Sequence, residues 1–401
     1  MKVLVADKME QWGLDQLKGL AEAVEFDPSL KDETLKSRLA EFDPQVLIVR
    51  STKVPAEIQQ AGKSLKLIIR AGSGFDTIDT SAAAERGIFV SNCPGMNAIA
   101  VAELTMGLII ALDRRIADNV IDLRAGRWRK KEYSKAGVGL KGATLGVIGA
   151  GRIGAAVARR ALAFEMKVLY YHIGRQLELV DHPDAERADL DDLLRRSDAV
   201  TIHVPGGAGT HHLIDKRRLG LMKPGALLIN TSRASVIDEA ALIEAVESGR
   251  LRGAGLDVFA DEPPADAETI ESPVCRVRNI YGTHHIGAST RQAQLAVAEE
   301  TVRIVAHFKQ TGEALNCVNM GRTIARPVLV VQMNTQPGGL AHVFAVLEAA
   351  GVKALEMDQV VHDDGQAACA HIRVDKQPDD ATLEKLRQHA AISGIELIPV
   401  A

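Results

Sequence analysis

Three kinds of charged side chain stand directly after apolar, strand-like runs in the middle of the chain. Arg233 follows ALLIN, Glu262 follows GLDVF, and the pair His284 and His285 follows NIYG. Arginine grips a carboxylate through a two-pronged contact that lysine does not reproduce, and histidine moves protons near neutral pH. In an open parallel sheet, residues just past the carboxyl ends of the strands converge on one crevice. Of two adjacent imidazoles, one can face that crevice while its neighbour points away, so the pair predicts one proton carrier rather than two.

A second signal lies upstream, in GATLGVIGAGRIGAAVARRAL, where Gly149, Gly151 and Gly154 form G-x-G-x-x-G between an apolar strand and a helix. The first glycine permits a tight turn, the second lets a pyrophosphate approach the backbone, and the third lets helix and strand pack closely. The amides at the helix start then face the phosphates. This placement predicts a dinucleotide site. The same fingerprint expects an acidic residue about 20 positions on, where it binds the adenosine ribose. His172 occupies that place in KVLYYHIGRQ, followed by Arg175. A carboxylate would repel a 2′-phosphate, whereas histidine and arginine tolerate or attract one, so the choice is open between NAD, the usual cofactor of the fingerprint, and NADP.

The elements that must position these residues follow from the hydrophobic rhythm. Short runs (KVLVA, QVLIV, LKLII, GIFVS) alternate with longer amphipathic stretches, which predicts a parallel α/β sheet. Residues 98–112 are nearly all apolar, with Glu103 as the single charge, and read as a helix buried between two layers. The rhythm resumes at ATLGVIG, KVLYY, DAVTIHV, ALLIN and GAGLDVF and closes with a long helix from Thr290 to Thr311. After a break at TGEALNCVNMGRT the order becomes βαββαβ, a small ferredoxin-like domain.

Composition narrows the function classes. The 401 residues are 46% apolar and 25% charged with a net charge of −4, an ordinary globular balance for two or three domains. The densest basic cluster, Arg127, Arg129, Lys130 and Lys131 around Trp128, is short and reads as a solvated face or an anion contact. No nucleic-acid partner is expected, and no membrane partner, since no segment reaches the apolar length of a membrane helix. Cys93, Cys275, Cys317 and Cys369 are far apart and show no metal-ligand spacing, so no metal is expected and a reducing, cytoplasmic setting is.

Taken together, RSTKV (50–54), RAGSGFDTID (70–79), NCPGMNAIAVAEL (92–104), GAGRIG, NTSRASVID, LDVFADEPP, HIGAST and the C-terminal QPGGLAHVFAVLEAAG resemble the D-2-hydroxyacid dehydrogenase family, and within it the branch that oxidises 3-phosphoglycerate at the start of serine synthesis. The resemblance covers nearly the whole chain. It implies a flavodoxin-like substrate domain from residues 1–97 and 289–318, a Rossmann cofactor domain inserted at 98–288, and an ACT-like regulatory domain at 325–401. The family motif P-H-[IL]-G-A-S-T places the catalytic imidazole at His285 and a proline where His284 stands. Arg233 would hold the substrate carboxylate, His285 would take the hydroxyl proton as hydride leaves C2, and Glu262 would orient the ring.

By the same correspondence, Arg152 and Ile153 lie on the pyrophosphate, Val204 and Pro205 on the adenosine side, and Asp257 at the nicotinamide end. Ser73, Thr231, Ser232, Gly287 and Ala288 complete the cofactor shell. Substrate is expected against Arg50, Ser51, Arg70, Gly74 and Asn97. Arg50, Lys53 and Arg70, aided by Arg129 or Lys130 of a partner subunit, favour a phosphorylated substrate, and the family suggests a homodimer or homotetramer. Two other readings stay open: another dehydrogenase of the family, such as a hydroxypyruvate or glyoxylate reductase, and a non-catalytic dinucleotide-sensing binding protein. In the ACT-like tail, the turn MNTQPGG carries Met333 and Thr335 where serine-binding relatives place histidine and asparagine, which implies a weak response to L-serine or none.

Overall fold

The β-branched runs near the start of the chain form a parallel sheet of β1 (Lys2–Val5), β2 (Ala23–Phe26), β3 (Val46–Val49), β4 (Leu67–Arg70) and β5 (Phe89–Asn92). The structure is a computed structural model that describes residues 1–173, 182–263, 267–320, 326–362 and 365–399. Its contacts divide the chain into two units, 1–319 and 320–401.

The first sheet has the order β2-β1-β3-β4-β5, the flavodoxin-like arrangement. Every residue of β3 is buried, as the uninterrupted apolar run VLIV requires of a strand covered on both faces. A second parallel sheet follows: β6 (Thr144–Ile148), β7 (Lys167–Tyr171), β8 (Ala185–Arg187), β9 (Ala199–Ile202), β10 (Ala226–Asn230), β11 (Leu251–Leu256) and β12 (Ile280–Gly282). Its order, β12-β11-β10-β9-β6-β7-β8, reverses between β6 and β9 as in a Rossmann sheet. The apolar segment expected to be buried is a helix, Ala98–Arg114, whose Ala102, Leu108, Ile109 and Leu112 pack in the core beside Val147 and Ile229. The chain then returns to the first sheet. The helix Arg291–Thr311, N-capped by Thr290, sets Ile304, Val305 and Phe308 against Val3, Val5, Leu14 and Leu17.

The second unit is the ferredoxin-like βαββαβ: β13 (Val328–Asn334), β14 (Ala354–Val361), β15 (Ala367–Val374) and β16 (Ile392–Ile398) in the antiparallel order β14-β15-β13-β16. Its core joins Leu329, Val331, Ala370 and Ile372 of the sheet to Val343 and Leu347 of one helix and Leu386 of the other. Met333 is buried in that core, and the Thr335 hydroxyl donates to the Gly365 carbonyl at 2.7 Å.

At the point where the second sheet reverses, the turn after β6 needs its glycines. Gly149 has φ +92°, and a Cβ on it would come within 2.6 Å of the His203 carbonyl oxygen beyond β9. A Cβ on Gly154 would lie 2.2 Å from the Gly149 carbonyl oxygen. Gly154→Ala therefore forces the helix Arg152–Ala163 away from the strand, with an expected loss of about 1–3 kcal/mol that thermal unfolding would read.

Candidate active site

Both parallel sheets end on the same crevice, and the expected site residues sit at those ends. Asp7, beyond β1, accepts the backbone N–H groups of Arg50, Ser51 and Thr52 at 2.6, 3.0 and 3.0 Å, which fixes the turn after β3. Arg70 ends β4, and Gly72 leaves room for it: a Cβ there would lie 1.7 Å from the Arg70 Nη1. Burial, with the charges of Arg233 and Arg50 nearby, lowers the Arg70 pKa from its ordinary value. Ser73 donates to the Asn97 side chain at 2.6 Å. Next to it the Cys93 thiol is buried, and burial pushes its pKa up to about 11, so it is no nucleophile.

On the facing wall, the turn beyond β10 is braced by Asn230. Its Oδ1 accepts from the Ser232 amide and hydroxyl at 3.0 and 2.8 Å, and its Nδ2 donates to the Arg233 carbonyl at 2.9 Å. Thr231 lies 3.1 Å from Thr105 of the long buried helix, hydroxyl to hydroxyl. The Arg233 guanidinium donates to Asp76 through Nε and Nη2, at 2.9 and 2.7 Å, an ion pair that crosses the crevice. Sequence reasoning passed over Asp76, whose partner stands 157 positions away and meets it only in the fold.

The loop beyond β12 carries the two histidines. His285 Nδ1 lies 2.5 Å from Glu262 Oε1, whereas His284 is exposed and makes no hydrogen bond or ion pair among the described residues. His285 adopts φ +49°, a left-handed conformation that a non-glycine residue takes only when its surroundings impose it. Asp257 imposes it. Its Oδ1 accepts from the Thr283 hydroxyl at 2.6 Å and the Ile286 N–H at 2.9 Å, and its Oδ2 from the Gly287 N–H at 2.8 Å. The structure thus commits both oxygens of this buried carboxylate to the loop, with Ala288 just beyond.

The chain has relatives among known proteins. The family model described as D-isomer specific 2-hydroxyacid dehydrogenase, NAD binding domain, matches residues 106–287. A hydroxypyruvate reductase of Thermotoga maritima is 47% identical over 283 residues, covering 70% of this chain and 89% of that protein. The chain belongs to the D-2-hydroxyacid dehydrogenase family. A D-3-phosphoglycerate dehydrogenase of Methanocaldococcus jannaschii is 41% identical over 327 residues, 80% of this chain but 60% of that protein's length. The crystal structure of a D-lactate dehydrogenase from Aquifex aeolicus, complexed with NAD and lactic acid, superposes with a TM-score of 0.68 at 30% identity. The match covers 80% of this chain and all of that one.

A dinucleotide fits the residues present. A Cβ on Gly151 would meet nothing within 4 Å, so the start of the helix Arg152–Ala163 opens onto free space where a pyrophosphate can approach the amides. Ile153 packs on the domain core, and Val204 closes over Gly149, with Pro205 following. Arg152 donates to the Pro94 carbonyl at 2.5 Å and so touches the opposite wall. His172 directly follows β7, and its carbonyl accepts from Arg187 at 3.3 Å, a cation that the sequence did not single out. Arg175 lies outside the described residues. Two members of the basic cluster are paired within the chain: Arg127 and Arg129 both meet Asp122, at 2.6 and 3.3 Å.

The asymmetry between the histidines is directly testable. His285→Ala is expected to lower turnover by about 10²–10⁴-fold with cofactor binding retained, and His284→Ala to leave it within a few-fold. The reverse ranking in steady-state kinetics would show the wrong imidazole to have been chosen.

Proposed function

We propose that this dehydrogenase oxidises D-3-phosphoglycerate to 3-phosphohydroxypyruvate, with NAD as cofactor and NADP accepted. The observation that carries the substrate reading is the pair Arg50 and Arg70. Neither has an ion-pair partner among the described residues, and burial, with the charges of Arg233 and Arg50 nearby, lowers the Arg70 pKa, so three guanidinium groups face one another with little acid between them. A substrate with both a carboxylate and a phosphate supplies the missing charge. Ser51, Gly74 and Asn97 line the same wall, and Lys53 adds a further cation.

In the mechanism we infer, the carboxylate takes the fork of Arg233, which fixes C2 and its hydroxyl beside His285. Glu262 holds Nδ1 of His285, so Nε2 is the nitrogen free to accept the hydroxyl proton. A nicotinamide held by these residues would supply the hydride acceptor for C2. As the C2–O bond becomes a carbonyl, His285 carries the proton and Glu262 balances the resulting imidazolium. The residues named above as the cofactor shell, Ser73, Gly149, Gly151, Arg152, Ile153, Gly154, His172, Val204, Pro205, Thr231, Ser232, Gly287 and Ala288, hold the dinucleotide, while Asp257 acts on it through the loop it anchors.

The similarity to hydroxypyruvate reductase favours a second reading, in which the physiological direction is reduction of a smaller 2-oxo acid. A panel of 3-phosphoglycerate, hydroxypyruvate and glyoxylate with both cofactors separates the two. The first reading expects 3-phosphoglycerate to give the highest kcat/KM, and Arg70→Ala to lower that value far more than the value for glyoxylate. In the same panel His172→Asp is expected to raise the preference for NAD, since it restores a carboxylate that repels a 2′-phosphate. An unchanged cofactor ratio would place selection elsewhere.

We further propose that the chain works as a dimer or a higher homo-oligomer. Ile116, Val120, Ile121, Leu123 and Trp128 are all exposed between the long helix and β6, more apolar surface than a monomer needs there. The C-terminal unit is read as an ACT-like regulatory domain without a serine response, because Met333 is buried in the core and the Thr335 hydroxyl is already engaged. L-Serine at micromolar concentration is expected to leave turnover unchanged; inhibition that disappears on truncation after residue 319 would refute this.

A further inference from the structure

The contact between Asp76 and Arg233 has no part in the mechanism above, and its geometry is specific. Its two residues stand 157 positions apart and come from opposite walls of the crevice. A guanidinium has five N–H groups. Here Nε and Nη2 both donate to Asp76 Oδ2, at 2.9 and 2.7 Å, and Nη1 donates to the Ser232 carbonyl at 2.8 Å. One hydrogen is left on each terminal nitrogen, which is the number a substrate carboxylate takes in a two-pronged contact. Gly74 is shaped to the same purpose: a Cβ there would lie 2.3 Å from the Arg233 Nη2. The loop that carries Asp76 therefore wraps the guanidinium closely.

Stability does not account for the pair. The Asp76 side chain is 59% exposed and that of Arg233 37%, so solvent screens it and it adds little to folding. What the contact does accomplish is orientation. Three of the five donors are fixed, two by the substrate-side wall and one by the arginine's own turn, and Asn230 fixes that turn in addition.

We infer that Asp76 is a positioning residue: it holds the side edge of Arg233 across the crevice, so that the substrate carboxylate is received in one orientation. This rests on the reading that Arg233 receives that carboxylate. The arrangement has a distinctive consequence, because Asp76 and the substrate are both anions sharing one cation. Asp76 weakens the ground-state grip on a carboxylate while it narrows the poses from which hydride can leave. Removing it is expected to lower turnover without weakening carboxylate binding, opposite to the loss of a binding group.

The test uses the full chain with bound NADH and oxamate, a carboxylate that mimics a 2-oxo acid but is not reduced, alongside turnover of whichever 2-oxo acid the parent protein reduces best. In Asp76→Ala, kcat is expected to fall by about 10- to 100-fold. Oxamate, titrated by NADH fluorescence, binds at least as tightly as to the parent. Asp76→Asn, which keeps an acceptor oxygen in place, retains more turnover than Asp76→Ala. In an Arg233→Lys background, Asp76→Ala changes kcat by less than about three-fold, because its partner is already gone. Oxamate affinity that falls in step with kcat, a kcat in Asp76→Ala within about two-fold of the parent, or an equal loss in the Arg233→Lys background would each overturn the inference. If the parent protein reduces no 2-oxo acid, the functional reading fails before any variant is made, so the two failures are distinguishable.

Discussion

The carboxylate of Asp257 is the point from which the reactive loop hangs. The segment from Thr283 to Gly287 has no strand or helix of its own to hold it, and three donors in it converge on one buried carboxylate. A buried carboxylate is tolerable only when its lone pairs are met, so loop and carboxylate stabilise each other. The left-handed His285 sits between the second residue of this clamp and the first, its backbone set by both. Gly287 completes the arrangement, because a Cβ there would approach Asp257 Oδ2 to 2.9 Å. Without the clamp, the 2.5 Å contact between His285 and Glu262 would have no fixed frame.

Charge is distributed unevenly across the crevice. On the cofactor wall, His203 lies where the sheet reverses. Its Nε2 is 2.9 Å from the Thr201 hydroxyl, its Nδ1 is shielded without a partner, and burial pushes its pKa down to about 3. Burial thereby favours the neutral ring. The opposite wall carries Arg50 and Arg70, and its Asp76 meets Arg233 across the crevice.

The sequence carried the parts of this picture that have a period or a fixed spacing. Apolar runs located β3, β4, β9 and β10 because buried parallel strands need them, and the glycines of the turn after β6 were legible because each is demanded by a close approach. The short edge strands were not: β2 (AVEF) and β8 (AER) have too few apolar residues to stand out from their flanks. At the site, Arg233, Glu262 and His285 could be found because each follows a strand. Asp76, Asp7 and Asn230 could not, since their partners are backbone groups or side chains brought close only by the tertiary fold. Asp257 was singled out, but its three-donor hold on the loop is a property of the folded loop that no spacing encodes.

The return of the chain to its first sheet bears on how the molecule is made. Val3, Val5, Leu14 and Leu17 are covered by Ile304, Val305 and Phe308 of the helix Arg291–Thr311. On a ribosome, the first sheet emerges long before that helix exists. Until about 300 residues have been synthesised, part of one apolar face of the nascent sheet stays uncovered, while every strand of the inserted sheet is already available. The order of assembly is thereby inverted: the middle of the chain closes before its beginning does. A nascent chain stalled before Arg291 would be the species that most needs shielding by chaperones.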